Sequence, residues 1–221
     1  MSKITIETTL KSLQASYEKG DIGTYRDTLI SNKDLFPKGD FHYYLGAGYL
    51  KENNLPAARY NLEKSLMLGH VTPETYKNLQ FIHSNLAVED VSDSGSYHDQ
   101  FLNQAMMVPA EYYFILTLLL CSIFLTLIKS NKIIKNIKNW VLTAAISLLP
   151  LFLFIYLKTF HFAMVLGDTP IFEGPSAIYP QVTVAKAGTK FIVGQKSDDW
   201  YFIKAPSHIL GWVKKQDLAL Y

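Results

Sequence analysis

With 221 residues the chain has room for one or two small domains, and a net charge of only +2 gives no general basic surface for nucleic acid. Its one cysteine, Cys121, lies inside an apolar run, which excludes a disulfide framework and a thiolate metal site. Charge is segregated along the chain. Residues 1–108 carry 10 basic and 13 acidic residues, residues 109–158 carry five lysines and Glu111 alone, and residues 159–221 carry six lysines and five acids.

Residues 3–87 read as helical hairpins. In "FHYYLGAGYLKENNLPAARYNLEKSLMLGHVTP", Leu45, Gly46 and Tyr49 belong to a first helix, "KENN" turns the chain, and Leu55, Ala58, Leu62 and Ser65 mark the inner stripe of a second. Small Gly46 and Ala58 let the helices approach closely. A weaker copy, with Leu13, "EKGD", Ile22, Tyr25, Leu29 and Pro37, precedes it, and the two turns lie about 33 residues apart. "PETYKNLQFIHSNL" starts a third unit with no second helix and reads as a cap. The pattern resembles tetratricopeptide repeats, which implies a concave groove lined by the first helix of each pair. By repeat offset that groove carries Tyr17, Tyr43, Leu50, Lys51, Lys77 and Phe81, unless these residues only pack between repeats. Residues 88–108, opening on the acidic, aperiodic "VEDVSDSGSYHDQ", read as a linker.

Two apolar segments follow, at 109–128 and 139–160. The first is a 20-residue run whose only charge, Glu111, lies near its start. A helix of that size reaches roughly 30 Å, the thickness of a bilayer core. Tyr112, Tyr113, Trp140, Tyr156 and Lys158 sit at segment ends, where interfacial residues belong. Pro150 falls mid-segment, and proline is tolerated in spanning helices. The competing reading, a buried helix pair in a soluble core, needs a larger polar shell than this chain supplies. Thr117, Ser122, Thr126, Thr143 and Ser147 suit helix–helix packing. No ionisable residue occupies either segment's centre, which argues against a transport path.

The turn between the segments, 129–138, holds Lys129, Lys132, Lys135 and Lys138, whereas the twenty residues on the far side of each segment hold no Lys or Arg. Lysines near span ends favour the cytoplasmic side. The turn is therefore expected in the cytoplasm and both termini on the outer face. "MSKITIETTLKSLQ" has no apolar signal core, so no cleaved signal peptide is expected in the sequence as it stands. Either the first segment carries the N-terminal region across as a reverse anchor, or a start codon lies further upstream.

Residues 163–221 read as all-β. "TKFIVGQ" and "WYFIKA" alternate in strand fashion around "KSDD". Together with Gly174-Pro175-Ser176, Gly188-Thr189, Trp200 and Gly211-Trp212-Val213, this resembles bacterial SH3-like domains, implying a small all-β barrel that binds peptides or cell-wall material. Tyr179, Trp200, Tyr201 and Trp212 are the candidates for its binding face; packing inside the barrel is the alternative, favoured for Trp212.

The chemistry-bearing motifs are sparse. The six histidines are scattered, with neither H-E-x-x-H nor a helical pair, and "KSNKIIKN" lacks the glycines of a phosphate loop. No enzyme activity, cofactor or metal is expected. The whole layout is a multi-domain membrane protein with an α-helical repeat domain, a two-helix transmembrane hairpin and an SH3-like barrel. It resembles the BatE proteins of the Bat (Bacteroides aerotolerance) operons. That resemblance implies a multi-pass bacterial inner-membrane protein with periplasmic termini. It also implies partnership with Bat proteins bearing von Willebrand A domains and with a MoxR-type ATPase, in envelope integrity or oxidative-stress tolerance. A peptidoglycan-binding envelope sensor is the other expectation. Contacts with protein partners and the lipid bilayer are expected, and none with nucleic acid.

Overall fold

The computed structural model describes residues 3–88, 91–92, 94–130 and 136–221. Five helices come first: α1 (Lys3–Lys19), α2 (Ile22–Ser31), α3 (Lys38–Lys51), α4 (Leu55–Met67) and α5 (Pro73–Asn85). Each packs on its neighbour in sequence. The two hairpin turns share one geometry. Gly20 (φ 76°) and Asn53 (φ 59°) both sit in the left-handed region. The next residues, Asp21 and Asn54, cap α2 and α4 by accepting from the Thr24 and Ala57 amides. The backbone bonds match too: Gly20 N–H donates to Tyr17 O and Asn53 N–H to Leu50 O, 33 residues on. Leu29 and Leu62, related by the same spacing, are both fully buried. Gly46 is held against α4, since a Cβ there would lie 2.8 Å from Leu62 Cγ.

The segment expected as linker contains a helix, α6 (Tyr97–Met107). Its Leu102 and Ala105 are buried, and their spacing of three places them on one face. They share a core with the end of the second apolar helix and with the sheet. The Ser/Asp-rich stretch ahead of the helix masked that short stripe in the sequence.

The apolar segments form α7 (Ala110–Lys129) and α8 (Ile137–Leu157), packed on each other. Only 11% and 17% of their apolar windows are buried. Such bare apolar helices do not behave as the core of a soluble domain; both are long and apolar enough to cross a membrane. Thr117 and Ser147 are buried, with hydroxyls donating to Tyr113 O and Thr143 O at 2.8 Å. Pro150 lies within the continuous helix α8.

The remainder is a seven-stranded antiparallel sheet: β1 (His161–Val165), β2 (Thr169–Phe172), β3 (Gln181–Ala185), β4 (Lys190–Ser197), β5 (Trp200–Ala205), β6 (Gly211–Lys214) and β7 (Leu218–Leu220), in the order β3-β2-β6-β5-β4-β1-β7. Where the sequence leads one to expect a closed barrel, the sheet is open, with β3 and β7 as its edges. It begins at His161, directly after α8. Strands β4 and β5 pair around Asp198 (φ 47°). Ala163, Val165, Ile171, Phe191, Val193, Ile203 and Val213 form the core on one face. On the other face β1 and β4 are covered as well: Phe162 and Ile192 pack with Val91, Leu102, Leu157 and Phe160. Burial on both faces explains the unbroken apolar run "FIV" at the start of β4.

Candidate functional site

Three places combine chemistry-bearing side chains. The first is a groove of about 470 Å³ between α1 and α3, lined by Leu10, Gln14 and Tyr17 from one helix and Tyr43, Tyr44 and Ala47 from the other. The spacing of Leu10, Gln14 and Tyr17 puts them on one face of α1. Tyr17 meets Tyr25 with ring centroids 5.5 Å apart, and Tyr43 stacks on His70 at 4.6 Å. His70 Nδ1 lies 2.7 Å from Asp40 Oδ1, which fixes that ring. Burial raises the pKa of Tyr43 and Tyr44, so their phenols stay neutral. The groove offers apolar ring surface with neutral polar tips, a chemistry suited to a peptide segment.

Of the residues expected in this groove, Tyr17 and Tyr43 line it. Lys51 reaches its rim, with Nζ 5.5 Å from the Tyr17 ring centre. Leu50 instead packs against the core shared by α3, α4 and α5. Lys77 and Phe81 are exposed on α5, outside the groove. The additional lining residues Tyr44 and Ala47 carried a signal in the helical spacing of α3, one position beyond Tyr43 and one turn on.

The second place joins the helical unit to the sheet. Arg59 and Glu63 sit one turn apart on α4, with Nε 2.8 Å from Oε1. Lys190, the first residue of β4, reaches the other oxygen of Glu63 at 2.7 Å. All three side chains are largely hidden from solvent, at 1%, 11% and 4% exposure for Arg59, Glu63 and Lys190. Tyr221 OH donates to Glu63 at 3.1 Å, and Arg59 donates to Gly188 O. Beside them Tyr60 OH and Lys64 both donate to Leu220 O. The Lys190 ammonium also lies 4.6 Å from the centre of the Phe162 ring. Burial by itself would raise the Glu63 carboxyl, but the charges of Lys190 and Arg59 outweigh it and hold the group at about 2. Burial and the Glu63 charge push the Tyr221 hydroxyl well above its ordinary value, so it remains a donor. Sequence reasoning missed this cluster. Its local half, the Arg59/Glu63 pair, is legible as an i,i+4 pair. The partner, Lys190, lies far away in sequence and stands out only as a lysine opening an apolar strand.

A second tie holds α6 to the sheet. Asp99 is fully buried; its Oδ2 accepts from Ser94 Oγ at 2.6 Å and from the Ser207 amide at 2.7 Å. Burial would raise its pKa, and these donors bring it below the ordinary carboxylate value.

The third place is the uncovered part of the sheet's outer face. The alternation of β5 and β6 sends Tyr201, Ile203 and Val213 into the core and Phe202, Lys204, Trp212 and Lys214 outward. Phe202 pairs with Trp212 across the strands, their rings 5.4 Å apart, and Phe172 meets Trp200 at the same distance. Lys214 and Lys204 lie over the Trp200 and Phe202 rings. Of the four residues expected on a binding face, Trp212 is half-buried among these rings and Trp200 is almost covered by them. Tyr201 packs into the sheet core and is not on this face. Tyr179 is half exposed against Gly174, on the loop between β2 and β3. The preference for Trp212 as the packing residue is thus reversed, because strand parity turns it outward and its neighbour Val213 inward. Phe172 and Phe202, not singled out in the sequence, complete the surface.

Of the lysines expected to set orientation, Lys129 ends α7 and Lys138 lies in the first turn of α8; Lys132 and Lys135 fall outside the described residues. No group of three or more His, Cys, Asp or Glu side chains is placed to hold a metal among the described residues.

These features define a class: a helical unit and an antiparallel sheet, joined by buried charges and set on two apolar helices long enough to cross a membrane. Compared with protein-family models, curated proteins and solved structures, the chain matches none.

Proposed function

We propose that the chain is a non-enzymatic, membrane-anchored scaffold of the Bat type, in which the helical unit acts as a tetratricopeptide-like receptor and the sheet as an SH3-like support. The observation that carries this reading is the aromatic groove between α1 and α3, presented by a unit that the Glu63 cluster fastens to the sheet. Such a fastening lets a ligand held in the groove keep a fixed position relative to the membrane helices. The partner class is an envelope protein bearing a von Willebrand A domain, with the groove taking one of its exposed segments. The scaffold lies in the bacterial inner membrane, with both soluble units on the periplasmic side and the basic turn in the cytoplasm.

The test replaces Ala47 by Glu in the full-length chain, placing a charge and added bulk in the groove. Ala47→Glu should lose co-purification of the von Willebrand A-domain Bat proteins from detergent extracts, while the thermal transition stays near that of the parent. Unchanged recovery of those partners would overturn the groove as their site.

A further inference from the structure

The outer face of the sheet is continuous with the membrane end of α8. Tyr156, exposed in the last turn of α8, meets Phe160 edge to face at 5.0 Å. Phe160 in turn covers Gly194 of β4, where a Cβ would lie 2.7 Å from the Phe160 ring and 3.3 Å from Lys204 Cγ. Lys204 stands over Phe202, and Phe202 leads to Trp212, which pairs across the strands with Phe172. A belt of rings thus runs from the end of a helix long enough to span a bilayer onto β5, β6 and β2.

The direction of this face is set by what already covers it. Leu157, the last residue of α8, and Phe160 pack on the same side of the sheet as Ile192 and Ala205. That side sits on the end of α8. Its continuation on the neighbouring strands is half-buried, with Trp200 buried, and reaches the end of α8 through Lys204, Gly194 and Phe160. Its strand residues Phe172, Trp200, Phe202, Lys204, Trp212 and Lys214 include two lysines and no acid, with Asp199 at the rim beside Trp200, Lys214 and Lys215. Amphipathic rings interleaved with lysine are what the headgroup region of a membrane accommodates, and anionic lipids attract lysines held near the surface.

We propose that this face rests on the headgroup layer of the leaflet in which α8 ends, with Lys204 and Lys214 against lipid phosphates and the rings between the glycerol groups. The sheet is then held to the membrane by its surface as well as by its chain connection. The proposal rests on α7 and α8 crossing the bilayer, and the experiment separates the two.

The chain contains three tryptophans, and Trp140 lies in α8 at the opposite end from the sheet. The full-length protein and its Trp140→Phe variant are reconstituted into phosphatidylcholine–phosphatidylglycerol vesicles with plain or brominated acyl chains. Bromine quenches tryptophan only at close range. In Trp140→Phe the remaining emission comes from Trp200 and Trp212, and brominated lipid should remove a large share of it. The difference between the two proteins reports Trp140 without altering any ring of the sheet. Quenching of Trp140 with full retention of the Trp200 and Trp212 emission overturns the surface contact and leaves the spans standing. No quenching of either removes both. Lys204→Glu with Lys214→Glu, added to Trp140→Phe, should restore emission; unchanged quenching overturns the role given to the lysines. Emission that responds to soluble peptidoglycan fragments but not to bromine assigns the face to the cell wall and overturns the proposal.

Discussion

At the scale of single residues, Glu63 ties the helical unit to the sheet. It is almost fully buried and holds two cations and a phenol at once. A buried ion pair gains little over an apolar replacement of the whole group, but removing one member strands the others at a cost of ~3–5 kcal/mol. Glu63→Gln should therefore lower the thermal transition markedly, since Lys190 keeps its charge and loses its partner. The pH dependence follows in sign from the depressed carboxyl, which falls from an ordinary 4.5 to about 2 in the folded chain. A carboxyl lowered on folding contributes stability that is fully present above its unfolded value and is lost as pH falls through its folded value. The wild type should thus lose this share of stability between about pH 4.5 and pH 2, while in Glu63→Gln that share is absent throughout. Thermal melts of both proteins across that range read the difference directly, and parallel curves would remove the charge from the explanation. Gly46 poses the opposite problem. Its missing side chain makes room for Leu62, so Gly46→Val should overpack the α3–α4 contact by ~1–3 kcal/mol, read as a fall in the melting temperature.

At the scale of elements, legibility follows how local the cause is. The helical hairpins were readable because their determinants are adjacent in sequence or lie in consecutive helices: Gly20 with Asp21, Asn53 with Asn54, and Gly46 against Leu62 across the α3–α4 hairpin. The apolar helices were readable because bilayer thickness imposes a length. Strand β5 was readable from alternation and β4 from the turn residues Gly188-Thr189 and "KSDD" that bound its apolar run, but β1 and β3 were not singled out. β1 is buried on nearly every residue and so lacks alternation, and β3 is an edge strand with mostly exposed residues. Helix α6 escaped because half its face is polar and its burial depends on α8 and the sheet, which lie far along the chain. The same holds for Asp99: nothing local reveals that its carboxylate accepts the Ser207 amide from 108 residues away. Asp99→Ala removes the acceptor of the part-buried Ser207 amide and of the buried Ser94 hydroxyl, which costs ~1–3 kcal/mol. The expected signature is faster hydrogen exchange at the Ser207 amide, with the amides of α1 and α2 unchanged. Equal exchange at Ser207 in both proteins would show that α6 is held by its apolar stripe alone. Tyr17 and Tyr43, singled out by repeat offset, line the pocket between α1 and α3, whereas Lys77 and Phe81 lie on α5, outside it.

At the scale of the whole molecule, the buried cluster constrains topology independently of the lysine pattern. Arg59 and Glu63 precede the two apolar helices and Lys190 follows them, so with α7 and α8 in a bilayer the 2.7 Å Glu63–Lys190 ion pair and the 3.1 Å Arg59–Gly188 bond require both soluble units on one side of it. A chain that crosses twice meets this condition; a chain in which only one of α7 and α8 crosses cannot. The packing alone lacks a sign; the proposed orientation, with the turn in the cytoplasm and the units on the outer face, rests on the lysine bias. The two arguments are separable by experiment. In a Cys121→Ser background, single cysteines at Asn53, Gln195 and Ser130 are each exposed in the fold. In spheroplasts a membrane-impermeant maleimide should label Asn53→Cys and Gln195→Cys alike, and should reach Ser130→Cys only after the membrane is opened. Labelling of Ser130→Cys alone would reverse the orientation but preserve the junction, because both units would still share a side. Labelling of Asn53→Cys without Gln195→Cys would separate the units across the bilayer. The Glu63 cluster, the tie from Asp99 to Ser207 and the scaffold built on them would then fall together.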